Sequence, residues 1–230
     1  SLDERRRVIA AFNACAVGCT PQVLDVTTMR IRPLRVRAAA GCQVGPAALW
    51  STRTVYVVRC SNRATHLAVR ERGVVRRVGP RGWPFTSNGA PVRIDLRGRV
   101  AVSLSGNGAV TLLDTQRRCR SVLSGDNTNA KQDSSQPYST TISPHLNGEL
   151  ISWGSNSFTW GQTTKTFIGT TVWAMRARSN CRGLWSQPIR TVGGEALSGE
   201  ATSVALDGQR RYVTLRDAGL VAQPLTRSAS

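Results

Sequence analysis

Lysine is almost missing from this chain: of 31 basic residues, all but Lys131 and Lys165 are arginine. Acid is scarce too, at 13 Asp and Glu, which leaves a net charge of +18. That balance makes polyanions attractive partners in principle. No basic run is longer than Arg5-Arg6-Arg7, however, so arginine spread over alternate strand positions reads first as a solvated sheet face. No stretch approaches the ~18 uninterrupted apolar residues of a helical membrane span. The closest cysteines, Cys15 and Cys19, are remote from His66 and His145, which argues against a zinc site. There is no G-x-S-x-G elbow, no P-loop and no dinucleotide fingerprint, so no cofactor is expected.

What the chain does contain is a repeat. Val55-Tyr56-Val57-Val58 is answered some 45 positions later by Val100-Ala101-Val102-Ser103, and Ser61-Asn62-Arg63-Ala64 by Gly106-Asn107-Gly108-Ala109. Leu67 meets Leu112 and Val78 meets Leu123 in the same register. A unit that cannot bury its own apolar face must stack on copies of itself. Within the unit, Val92-Arg93-Ile94-Asp95-Leu96 has the period-2 pattern of a half-buried strand, and Ser105-Gly106-Asn107-Gly108 the chemistry of a hairpin turn. Pro144-His145-Leu146-Asn147-Gly148 reads as a turn between strands, as does Asp207-Gly208-Gln209.

These segments resemble blades of the β-propeller repeat superfamily, of the WD40/TolB-like kind. Ser143-Pro144-His145-Leu146-Asn147-Gly148-Glu149 and Leu206-Asp207-Gly208-Gln209 are similar to its first turn, and Gly106-Asn107-Gly108 and Asp217-Ala218-Gly219 to its second. No blade has the Gly-His start or Trp-Asp end of WD40 proper, and the Asp-box of sialidase propellers is absent. The resemblance implies an all-β, propeller-like array of four-stranded antiparallel blades. Second strands are expected near Val55, Val100, Leu150 and Tyr212, giving about four blades over 22–230. Residues 1–21 are expected to form a short helical extension, because Asp3 and Glu4 do not suit a signal segment. The Val23–Val36 region is expected to complete the last blade.

Six cysteines at wide spacing fit an oxidising, extracytoplasmic setting, secreted or in the cell envelope. On the blade trace Cys42 begins one strand and Cys60 ends its antiparallel neighbour, a comfortable disulfide geometry. Cys119 and Cys181 occupy matching turns of successive blades, and Cys15 and Cys19 remain as a local pair; buried free thiols are the alternative.

Two long polar segments, 125–141 and 154–171, are expected to be loops opening on one face. Trp153, Phe158, Trp160, Phe167 and Trp173, with Lys165, Asp126 and Asn129, form the candidate ligand-binding set, since flat rings amid polar groups stack on sugars or grip a partner. The competing reading packs those rings onto their own blade. The function expected is non-catalytic binding of a protein or of an anionic or sugar-bearing polymer. A glycan-acting enzyme using Asp126, Asp133 or Glu149 is the first alternative. Arginine-mediated nucleic-acid binding is the second.

Overall fold

The computed structural model describes residues 2–3, 8–10, 20–61, 65–78, 91–106, 108–116, 119–124, 138–148, 150–160, 165–176, 199–207 and 210–224. The described residues are strands and turns. They fall into two compact units, Ser1–Gly106 with Thr111–Val122, and Asn107–Val110 with Leu123–Ser230.

The first unit carries three four-stranded sheets, each ordered as in the sequence. Sheet 1 holds β1 (Leu2–Asp3), β2 (Val8–Ala10), β3 (Gln22–Asp25) and β4 (Arg30–Pro33). Sheet 2 holds β5 (Cys42–Trp50), β6 (Arg53–Cys60), β7 (Thr65–Glu71) and β8 (Val74–Arg77). Sheet 3 holds β9 (Pro91–Arg97), β10 (Val100–Ser105), β11 (Val110–Asp114) and β12 (Cys119–Ser124). The second unit carries β13 (Tyr138–Asn147), β14 (Leu150–Trp160) and β15 (Lys165–Arg176) in one sheet, and β16 (Ala201–Asp207), β17 (Arg210–Leu215) and β18 (Gly219–Pro224) in another.

A sheet whose strands are apolar on both sides needs a cover on each face. Sheet 2 has both. Val55, Val57, Leu67, Val69 and Val78 pack against Ile94, Leu96, Ala101 and Leu113 of sheet 3. The alternate residues Ala47, Tyr56, Val58 and Ala68 pack against Val23, Leu34 and Val36, on and just after the strands of sheet 1. Leu67 and Leu112, paired by the 45-residue echo, are both fully buried on third strands. In the second unit Ile142 and Val172 meet Ala201, Val204, Val213 and Leu215. Each large side chain buried in this way contributes about 1.5–3 kcal/mol.

Turn chemistry sets the hairpins. Glu71 pairs with Val74 across a two-residue turn, and both Arg72 (φ 48°) and Gly73 (φ 88°) are left-handed, the requirement of a type I′ turn. Prolines inside first strands sit at bulges, where a missing N–H is tolerated. Pro46 lies in the register shift between Val44 and Ala47, and Pro144 in that between Ile142 and His145.

The second strands begin at Arg53, Val100, Leu150 and Arg210, as the repeat spacing places them. Other expectations need correction. Among the described residues there are five sheets where about four blades were expected, because the chain before Cys42 forms one of its own. In place of a helix over 1–21, Leu2–Asp3 and Val8–Ala10 are strands, and β2 pairs with β3; most of that extension lies outside the described residues. Gln22–Asp25 and Arg30–Pro33 pair with each other and do not complete the last sheet. Pro144-His145 is not a turn: β13 runs on to Asn147 through its bulge. The alternation expected over 92–96 is not seen: Val92 and Arg93 are both exposed, and Ile94, Asp95 and Leu96 are all buried.

Candidate binding surface

Of the expected aromatic face, only Trp153, Phe158 and Phe167 have described side chains. Residues 154–171 are not a loop: β14 and β15 pair from Leu150–Arg176 to Trp160–Lys165, leaving only 161–164 between them. Trp153 and Phe158 are buried, and Phe158 meets its cross-strand partner Phe167 edge-on at 5.6 Å between ring centroids. Trp173 lies opposite Trp153 in the register, and Trp160 opposite Lys165. The side chains of Trp160, Lys165 and Trp173, and the whole of Asp126, Asn129, Asp133 and Glu149, lie outside the described residues.

The polar residues of that hairpin have another use. Asn156 is buried and pairs like a strand with Ala201: its Nδ2 donates to the Ala201 carbonyl at 2.8 Å, and its Oδ1 accepts the Ala201 N–H at 3.0 Å. The Thr170 hydroxyl donates to Asn156 Oδ1 at 2.7 Å, with the Gly199 carbonyl 2.9 Å away. A Cβ at Gly154 would lie 2.7 Å from Ile142 Cδ1 and 3.2 Å from the Thr171 carbonyl oxygen, so a side chain there would push the tip of Ile142 aside.

Arginine is likewise used between strands and sheets, which the sequence reading missed. Arg53 reaches the Gly98 carbonyl at 3.0 Å with Nη1 and Glu71 at 2.7 Å with Nη2. Arg76 donates to the Thr115 carbonyl at 2.7 Å, and the Arg97 guanidinium lies over the Trp50 ring at 4.8 Å. Arg211, buried, donates to the Val172 carbonyl at 3.1 Å, and burial lowers its pKa. The one available signal was spacing: Gly98 lies 45 residues after Arg53, one repeat length on.

The described surface is most unusual at the outer strands. β4 is exposed along its whole length, and Ile31 leaves 56% of its surface in water beside Arg30 and Arg32. Asp25, whose carboxylate accepts the Thr27 and Thr28 N–H groups, is held below the ordinary carboxyl pKa chiefly by those bonds. On β8, Val74 and Val75 are 68% and 51% exposed. Strand alternation places Val75 and Arg77 on the face of sheet 2 that carries His66, Ala68 and Arg70. Arg70 donates to the Arg35 carbonyl at 2.8 Å, and the Tyr56 hydroxyl to the Arg37 carbonyl at 3.2 Å. Exposed Arg35 is thereby tied to the same rim, and exposed Arg37 to the inner strand β6.

Burial, with Arg77 adding to it, holds the His66 pKa below its ordinary 6.5. The folded chain then takes up this proton less readily than the unfolded one, so His66 costs no stability above pH about 6.5. The loss develops as pH falls from there through the lowered folded value. Urea unfolding at pH about 7.5 and about 5 is expected to show a smaller acid-side loss for His66→Gln than for the wild type. Equal losses would remove His66 from the account.

Cys42 and Cys60 face each other across β5 and β6 and form a disulfide, the pairing the blade trace selects. Cys15, Cys19, Cys181 and the Cys119 side chain lie outside the described residues. Among the described residues no group of three or more His, Cys, Asp or Glu is placed to hold a metal, and no helix is long and apolar enough to cross a membrane.

No family model matches the chain, and no curated protein matches it. Several solved structures align with the chain at low identity. The computationally designed Ika4 protein aligns at 12% identity and a TM-score of 0.47, over 83% of this chain and 94% of that one. YCF48 bound to D1 peptide aligns at 8% and 0.44, over 91% of this chain and 59% of that one. The β-propeller domain of Cps50 (Swd1) from Myceliophteria thermophila aligns at 9% and 0.34, over 96% and 94%. The described residues are all-β, and each sheet runs in sequence order as a propeller-like blade does.

Proposed function

We propose that this chain is a non-catalytic scaffold that binds another protein. The observation that carries the reading is the pair of outer strands, β4 and β8, which hold Ile31, Val74 and Val75 in water beside arginine. Apolar side chains clustered on an open strand are a common mark of an interaction site. The sequence reading put the partner on the face carrying 125–141 and 154–171. The second segment is paired strand with Trp153 and Phe158 inside, so the proposal moves to the outer strands. An anionic or sugar-bearing polymer is the partner class the aromatic face would have served. The Cys42–Cys60 disulfide supports an extracytoplasmic setting.

Peptide display against the purified chain, with chromogenic glycosides assayed in parallel, tests the reading. Selected peptides are expected to lose about tenfold in affinity for the Ile31→Asp/Val74→Asp variant, because both side chains lie at the surface. Glycoside turnover, or a selection that yields no peptide above background, would overturn it.

A further inference from the structure

We infer that the outer edge of β8 takes an extended, acidic segment of a partner protein by strand addition; this rests on the binding reading above and names its partner. The backbone comes first. Val78 donates its N–H to the Leu67 carbonyl at 2.9 Å, which marks their opposed pair as hydrogen-bonded. Bonded and non-bonded pairs alternate along an antiparallel ladder. Val69 with Arg76 and Glu71 with Val74 are therefore the bonded pairs, and Arg70 with Val75 and Ala68 with Arg77 the others. The N–H and C=O of Val75 and Arg77 then point away from β7. β8 ends the order β5-β6-β7-β8, so among the described residues no strand pairs with that edge. Unlike β4, which ends in Pro33, β8 has no proline to remove a donor.

The side chains beside this edge select the occupant. Val75, half in water, supplies an apolar contact on the face that carries Arg77 and Arg70. Arg35 lies beside this rim, its carbonyl accepting a bond from Arg70 on β7, and Arg37 follows two residues on, its carbonyl bonded further in by Tyr56 of β6. Arginine is thus gathered here from three stretches of chain. Glu71, the nearest carboxylate along β7, belongs to the opposite face and is engaged by Arg53. An added strand repeats side chains on one face at ~7 Å, twice the rise per residue. Carboxylates at alternate positions of an extended peptide would face this rim in register. A second copy of this chain would bring +18 against +18, and Arg77 against Arg77 at a like-paired edge, which disfavours self-pairing.

The test uses the full chain and fluorescence polarisation of a labelled, alternating Glu–Val peptide. Three results are expected. Binding weakens as NaCl rises from about 50 to about 300 mM. Arg77→Glu weakens it by about tenfold or more without changing the thermal midpoint, and Arg35→Glu/Arg37→Glu does so as well. A peptide N-methylated at alternate residues, on the side that would meet β8, also loses about tenfold, because strand addition needs those N–H groups.

Equal binding of the N-methylated peptide would overturn strand addition, and tighter binding of an oligothymidylate would assign the rim to nucleic acid instead. A dimer of the free chain that Val75→Asp dissociates would give the edge to a second copy. If the Glu–Val peptide fails while display-selected peptides still bind, the inference falls and the scaffold reading stands. If neither binds, both fall.

Discussion

Asn156→Leu is expected to destabilise the second unit by about 2 kcal/mol, read as a lower urea midpoint at unchanged slope. Leucine is close to asparagine in shape but offers neither donor nor acceptor. It would take the Asn156 Nδ2 donor from the Ala201 C=O and the 3.0 Å acceptor from the Ala201 N–H, which keeps the Thr170 hydroxyl oxygen at 3.3 Å, while the Thr170 hydroxyl still donates to the Gly199 carbonyl at 2.9 Å. Asn156 and Ala201 are 4% and 3% exposed, so water cannot readily replace them. Each buried polar group left without a bond costs about 1–3 kcal/mol, which sets the total. Thr170→Val, which removes the hydroxyl and leaves the Asn156–Ala201 pair intact, is expected to cost about 1 kcal/mol. A loss under about 1 kcal/mol for Asn156→Leu would show that the two sheets do not depend on this side chain.

Removing the disulfide is the second large effect. The Cys42–Cys60 link closes a span of 18 residues, which limits the unfolded chain by about 3 kcal/mol at room temperature. Cys42→Ala/Cys60→Ala is expected to lose that amount, or about 6–12 °C in thermal midpoint for a chain of this length. Reductant should shift the wild type and leave the double variant unmoved, provided the other four cysteines are replaced in both. The side chains of Cys42 and Cys60 also pack at the margin of the core shared by Tyr56 and Val58, so a small packing loss adds to the entropic one. A wild type indifferent to reductant would rule out a stabilising link.

The repeat was legible because its apolar residues lie one blade apart and its turns use glycine and asparagine. Val57 and Val102 are buried on equivalent second strands, Leu67 and Leu112 on equivalent third strands, and Gly98, Gly148 and Gly219 occupy left-handed positions in or beside hairpin turns. The first sheet was legible only in part: 22–37 reads as strand, but the strands before it and the sheet it joins do not follow. Val8-Ile9-Ala10-Ala11 has no polar alternation to mark a strand, and arginine interrupts the apolar pattern of Ile31 and Leu34. The long second-unit hairpin was not legible. Gly154-Ser155-Asn156 and Gly169-Thr170-Thr171 have loop composition, and only contact with Gly199 and Ala201 makes buried strands of them.

The candidate surface divides in the same way. Sequence alone determined the repeat length, the antiparallel hairpins, the Cys42–Cys60 pairing and the excess of arginine, because each depends on neighbours along the chain or on composition. Tertiary structure decided which arginines span neighbouring elements, as Arg53, Arg76 and Arg211 do, and which stay in water, as Arg35, Arg37 and Arg77 do. It also decided that Trp153 and Phe158 belong to the interior. A guanidinium or an aromatic ring suits either place. The choice depends on whether a neighbouring sheet presents a carbonyl or an apolar face to it, and that neighbour comes from a different part of the chain.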